Sequence, residues 1–251
     1  MKSGRRKFLG SVLSISGFAA LDHITYNPYA VELNQETNSL KLKGRNDSNI
    51  IHWDIITIGN LSRNRYWGES DEKALHSVIC TCSVISGRDF HLIVDPSLAD
   101  ETAMTAELQR RTGLLPDKID AVFITHQHGD HVAGLRHFSK ARWFAGADVA
   151  SSLNTTGNFN KQIEPAGTKL FDAIDVIPTP GHTPDHMSLR FDYRGLSVLI
   201  AGDSIATKDF WDEKRSYYNV ADDAESKRSM EKINKIADMI VPGHDNAFLN
   251  V

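Results

Sequence analysis

Short apolar runs, rather than long amphipathic stretches, organise this chain, and several of them end on a histidine or an aspartate. Ala121-Val122-Phe123-Ile124 leads into Thr125-His126-Gln127-His128-Gly129-Asp130-His131, and later runs close on Gly181-His182, Gly202-Asp203 and Gly243-His244. Brief apolar runs bounded by turn residues read as buried strands. The pattern predicts strands over 51–58, 76–86, 90–95, 119–125, 142–145 and 175–178, a hairpin of 187–193 with 196–201 around Arg194-Gly195, and a closing strand over 239–241. Helical signals are fewer. Asp100 caps a helix that runs to about Arg111 and stops at Gly113; a second is expected over 132–139 and a short one over 148–153. The stretch 222–237 sets Met230, Ile233 and Ala237 on one helical face. Strands interleaved with helices indicate an α/β fold.

The run after Ile124 places three imidazoles and a carboxylate in six positions. His126 and His128, two apart in extended backbone, share a side and can share one cation. Asp130 and His131 sit where the chain turns into a helix and aim at a neighbouring point, which indicates two metals. His182, Asp203 and His244 each end a strand-like run behind a glycine, which lets the backbone turn sharply or approach closely. Strand-end ligands converge when strands lie side by side. The expected set is His126, His128 and His182 for one metal, Asp130, His131 and His244 for the other, and Asp203 between them.

The order and spacing of these motifs resemble the metallo-β-lactamase superfamily of binuclear hydrolases, from about residue 49 onward. Within it the likeness is closest to the small group around metallo-β-lactamase domain-containing protein 1, which shares the terminal Pro-Gly-His after a Lys/Arg-containing helix. The resemblance implies a four-layer αββα sandwich over 47–251 and a binuclear zinc-dependent hydrolase, with manganese, iron or nickel as alternative metals. Two cations about 3.5–4 Å apart need shared anions; Asp203 and a bridging hydroxide would provide them. The family also gives Asp130 a catalytic role, orienting the nucleophile and handling its proton. The expected reaction is cleavage of an ester, lactone, thioester or related bond in a small molecule. Alternatives are a phosphodiesterase or ribonuclease-type hydrolase, or a non-hydrolytic iron oxygenase on the same fold. Departures narrow this. A bridging Asp203 and no cysteine ligand speak against β-lactam cleavage, and Ala206 stands where quorum-quenching lactonases carry tyrosine.

Composition adds limits. The 251 residues, 41% of them hydrophobic, suffice for one well-packed domain. With 28 basic against 32 acidic residues there is no surplus of positive charge for an obligate nucleic-acid partner, and no protein partner is evident. Cys80 and Cys82 flank Thr81 and read as two small buried hydrophobes rather than a disulfide. Aromatic residues Tyr66, Trp67, Phe210, Trp211, Tyr217 and Tyr218 are candidate substrate contacts, Tyr66, Trp67, Trp211 and Tyr218 foremost, or else pack the loops onto the core. His186 is expected to support a ligand or to bond locally, and His52, His76, His91 and His137 to be structural or superficial.

The N-terminal Ser3-Gly4-Arg5-Arg6-Lys7-Phe8-Leu9-Gly10 is similar to a twin-arginine export motif, followed by a stretch too short and polar to span a membrane. Residues 1–30 are therefore expected to be a signal segment and 31–46 a linker, with the folded enzyme delivered to the periplasm. The alternatives are a cytoplasmic protein or one anchored by an uncleaved N-terminus.

Overall fold

The computed structural model describes residues 49–251 apart from 71 and 158; the expected signal segment 1–30 and linker 31–46 lie outside the described residues. Two six-stranded sheets make up the frame. The first runs, in order, β1 (Ile50–Thr57), β2 (Cys82–Gly87), β3 (His91–Val94), β4 (Ala121–Ile124), β5 (Arg142–Ala145) and β6 (Ile163–Pro165). The second contains β7 (Lys169–Leu170), β8 (Ile174–Pro178), β9 (Met187–Tyr193), β10 (Leu196–Gly202), β11 (Met239–Pro242) and β12 (Phe248–Leu249), each beside its neighbour in sequence. A tight turn can join antiparallel neighbours, as Arg194-Gly195 joins β9 to β10, whereas parallel pairs need long crossovers. Helix α1 (Glu101–Thr112) lies between the parallel strands β3 and β4, α3 (Ala147–Thr156) between β5 and β6, and α5 (Asp223–Ile236) between β10 and β11. Two short helices, α2 (Gly129–Val132) and α4 (Lys208–Asp212), follow the ends of β4 and β10.

Alternation along the strands builds the layers, because successive side chains point to opposite faces. In β4, Val122 and Ile124 join Met104 and Leu108 of α1 and Val149 and Leu153 of α3, whereas Ala121 and Phe123 turn inward. From the second sheet, Leu189, Phe191, Val198, Ile200 and Val241 meet them in the same inner cluster. Leu199, Ala201 and Ile240 point the other way, onto Met230, Ile233 and Ala237 below α5. The result is the expected four layers, helix–sheet–sheet–helix. Phe123 is fully buried between the sheets, and truncating it to alanine would cost about 3–5 kcal/mol.

The helix ends agree with the capping signals. Asp100 accepts from Ala103 N at 2.7 Å and Gly113 closes α1 in a left-handed conformation; Asp222 caps α5 through Glu225 N at 2.9 Å. Two expectations fail. The helix expected over 132–139 is split into α2 and a 3-10 turn, Leu135–Phe138, because Gly134 N donates to Pro96 O at 2.8 Å and leaves the helical ladder. The strand expected over 76–86 becomes regular only at Cys82; ahead of it Ile79 makes one isolated bridge, to Asn60.

Strands β8, β10 and β11 run the same way, since β8 and β10 both pair antiparallel with β9 and β11 pairs parallel with β10. Their C-terminal ends therefore share one edge of the second sheet. Met187 N donates to Thr125 O at 3.0 Å, joining that edge to the end of β4.

Candidate metal centre

All seven expected ligands meet at this edge, in two groups: His126, His128, His182 and Asp203, and Asp130, His131 and His244. The ligand atoms within each group lie within 4.8 Å of one another. His128 Nδ1 is 2.9 Å from His126 Nε2 and 3.0 Å from His182 Nε2. Asp203 reaches both groups. Oδ2 is 3.2 Å from His182 Nε2 and 3.3 Å from His244 Nε2, while Oδ1 is 3.1 Å from both His131 Nε2 and His244 Nε2. Asp130 Oδ2 stands 3.7 Å from His131 Nε2 and 3.6 Å from His244 Nε2.

Several of these atoms are placed as a cation would need them. Among the described residues, His131 Nε2, Asp130 Oδ2 and Asp203 Oδ1 are buried without a well-aligned hydrogen bond, a costly condition for polar atoms. The far side of each ring explains which nitrogen faces inward. Thr125 Oγ1 donates to Asp95 Oδ2 at 2.7 Å, so it accepts from His126 Nδ1 at 3.1 Å. His131 Nδ1 donates to the same Asp95 oxygen at 2.9 Å, and His244 Nδ1 donates to the carbonyls of Ile79 and Asn60 at 3.0 and 3.1 Å. With Nδ1 committed as a donor, each Nε2 can present its lone pair to the centre. A nitrogen- and oxygen-rich donor set of this kind suits zinc.

Asp95 is the functional residue that sequence reasoning missed. It ends the run His91-Leu92-Ile93-Val94 at φ 50°, a strand end like those of the ligands but without the glycine before it. It is buried, and its other oxygen accepts from Thr125 N at 2.8 Å. One carboxylate thus orients a histidine of each group. Cys80 also departs from expectation. Cys82 packs as a buried hydrophobe, but Cys80 Sγ donates to the carbonyls of Asp130 (3.2 Å) and Asp95 (3.5 Å). Burial pushes its thiol up to about 12, so it remains S–H.

Two glycines show why ligands follow that residue. Gly202 has φ +51°, and a Cβ there would meet Thr125 Oγ1 at 2.7 Å. A Cβ on Gly243 would lie 2.0 Å from Asp203 Oδ1, so the chain carrying His244 can approach the Asp203 carboxylate only at a residue without a side chain.

The two groups differ electrostatically. Burial lowers His126 well below the usual histidine range, lowers His128, and brings His182 to about 4. Burial also opposes charge on His131 and His244, but neighbouring groups, chiefly Asp203 for His244, raise both. Asp203 itself is held well below the carboxylate range because His244, His131 and His182 outweigh its burial.

The aromatic candidates separate. Tyr66 and Tyr218 pack with Leu61, Ala206, Phe210 and Tyr217 in one cluster, where Tyr66 meets Phe210 edge-on at 5.1 Å. Both segments begin at the centre: His244 Nδ1 bonds to Asn60 O, and His244 N donates to Ala206 O at 2.8 Å. Trp67 is 53% exposed. Trp211 turns away from that cluster, against Phe248 and the core below α5, which argues against its expected substrate contact. His186 bonds Thr179 Oγ1 at 2.9 Å as a local partner. His52 and His76 pair with Asp54 and Glu69, His91 bonds Ser86, and His137 donates to Leu98 and Ala99 carbonyls.

Comparison with known proteins agrees with this geometry. A family model described as the metallo-beta-lactamase superfamily matches residues 77–244. Metallo-beta-lactamase domain-containing protein 1 of Xenopus laevis is 32% identical over 145 residues, 54% of this chain and 58% of that protein. Hydroxyacylglutathione hydrolase of Xanthomonas oryzae pv. oryzae is 34% identical over 119 residues, 45% of this chain and 41% of that enzyme. The chain spans about half the length of these curated relatives. Among solved structures, a dizinc quorum-quenching lactonase in complex with a product is similar in fold, with a TM-score of 0.56 at 15% identity over 66% of this chain and 72% of that one. On the extent of the family match, the αββα layering and the ordered ligand motifs, the chain belongs to the metallo-β-lactamase superfamily.

Proposed function

We propose that this chain is a metal-dependent hydrolase that holds two zinc ions and cleaves an ester, lactone, thioester or related bond of a small molecule. The observation that carries the reading is the place of Asp203 between the groups, Oδ2 within 3.3 Å of His182 and His244 and Oδ1 3.1 Å from His131 and His244. A carboxylate so placed screens two cations from one another. His126, His128 and His182 would hold the first, and Asp130, His131 and His244 the second. When bound, the cation pair supplies Lewis acidity and an acidified water. Asp130 Oδ2, buried and without a hydrogen-bond partner among the described residues, is available to orient the attacking water and take its proton. Two carboxylates against two divalent ions leave the centre positive, which favours substrates that develop an oxyanion. The name of a hydroxyacylglutathione hydrolase among its relatives supports a small-molecule substrate.

Metal analysis of the purified protein should find about two equivalents per chain, and chelation should abolish hydrolysis of a panel of esters, lactones and thioesters until zinc is returned. Activity that survives complete metal removal would sink the reading. So would an iron-containing protein that consumes oxygen and hydrolyses none of the panel. We also propose export to the periplasm, on the strength of Arg5-Arg6 and the weakly apolar stretch after it. Replacing both with lysine should leave the protein in the cytoplasm; unchanged fractionation would remove the proposal.

A further inference from the structure

The irregular stretch before β2 touches every part of the second ligand group. Ile79 O accepts from His244 Nδ1 at 3.0 Å. Thr81 N donates to Gly243 O at 2.6 Å, and Thr81 Oγ1 donates to Asp245 O at 2.9 Å, gripping the chain on both sides of His244. Between them Cys80 points the other way, and its Sγ donates to Asp130 O at 3.2 Å. Three consecutive residues therefore connect the two remote segments that supply Asp130, His131 and His244.

The break after α2 gives the Cys80 contact its purpose. In a continuing helix, Gly134 N would donate to the carbonyl four residues back, that of Asp130. Instead it donates to Pro96 O. This ends the helix after a single turn and frees the Asp130 carbonyl, and Cys80 satisfies it. The thiol is fully buried, so water cannot readily replace it. Its other contact, Asp95 O at 3.5 Å, lies on the residue that orients His131.

Resting on the two-metal reading above, we infer that Cys80 is a positioning residue for the second metal site: its S–H donor fixes the Asp130-His131 turn, while Ile79 and Thr81 fix His244 against it. Removing the donor loosens the second site and leaves the first, whose ligands His126, His128 and His182 do not contact this stretch through any of these bonds, at full affinity. The role belongs to the hydrogen bond, so serine can fill it.

The test is a metal-by-metal affinity measurement, with zinc titrated against a chromophoric chelator and metal content read after dialysis. Cys80→Ala should weaken one of two equivalents by about 10–100-fold, the range for groups that orient metal ligands. Cys80→Ser should restore it to within about threefold. His244→Ala identifies the second site, and adding Cys80→Ala to it should cause no further loss, because contributions through one site are not additive. Near-ultraviolet circular dichroism of the metal-free variants checks that the fold is kept, and if Cys80→Ala does not fold, Cys80→Thr against Cys80→Val gives the same comparison of donor with non-donor. Wild-type protein binding fewer than two equivalents would overturn the two-metal reading itself. Two wild-type equivalents with both retained in the donorless variant, or with both weakened alike, would overturn the role of Cys80 alone.

Discussion

The two ligand groups share Asp203 but are built on different principles. The first is three imidazoles that burial keeps neutral, with His182 near 4, so its lone pairs are available without displacing protons. Its outer support is thin: His126 leans on Thr125, whereas His182 Nδ1 is buried without a hydrogen-bond partner among the described residues. The second group mixes a carboxylate with two histidines whose proton affinity is raised, and its support is dense, from Asp95, Ile79, Asn60, Cys80 and Thr81. The difference teaches that the denser bracing lies on the group whose histidines have the raised proton affinity.

The largest change should come from the group they share. Asp203→Asn keeps the shape but removes the charge that faces both triads. Groups that merely orient ligands are worth about 10–100-fold in metal affinity, so loss of a bridging ligand should exceed that for both equivalents and abolish hydrolysis. Equilibrium dialysis reads it directly. Loss of one equivalent only would show that Asp203 serves a single metal and would end the symmetry of the comparison.

Asp95→Asn comes next. It weakens the orientation of His131 directly and of His126 through Thr125, so both affinities should fall by about tenfold or more. Thr125→Val removes the hydroxyl relay and should act on the first equivalent more than on the second. Equal effects of Thr125→Val on both would mean that Asp95, not the relay, governs His126.

How far this was legible in the sequence depended on whether a residue's role was local. The convergence of His182, Asp203 and His244 was readable because strand order and direction carry these strand ends to one edge. Asp95 was not read, because an aspartate closing a strand looks the same whether it caps a turn or orients two histidines; only the packing of β3 beside β4 decides. Strands β6, β7 and β12, of three, two and two residues, are too short to show a period. The break at Gly134 depends on the carbonyl of Pro96, and Cys80 on the carbonyl that this break leaves open. Both are long-range partners that no window along the chain contains.

Acid should separate the two sites. His131 and His244 hold protons above the ordinary histidine value of 6.5, and His182 only below about 4. As pH falls, protons compete first at the second group, so one equivalent should leave in mildly acidic buffer while the other stays bound to lower pH. The sign reverses for the metal-free chain. There the raised histidines contribute stability fully below 6.5 and lose it as pH rises through their folded values. Dialysis against a pH series with zinc quantified at each step should give two releases, and one release of both equivalents would erase the electrostatic distinction.

The smallest effect concerns the aromatic residues beside the centre. Tyr66 packs edge-on to Phe210, an arrangement worth about 0.5–1.5 kcal/mol beyond buried area, so Tyr66→Ala should lower the melting temperature. Trp67 is its neighbour but half exposed, and Trp67→Ala should leave stability within about 0.5 kcal/mol. If the exposed indole meets substrate, the same variant should raise KM for a bulky ester several-fold with kcat unchanged, the pattern of an interaction made equally in the ground and transition states. An unaltered KM alongside unaltered stability would remove Trp67 from the substrate contacts. The loop of residues 60–68 would then serve only to carry Asn60 O to His244, on the more heavily braced side of the centre.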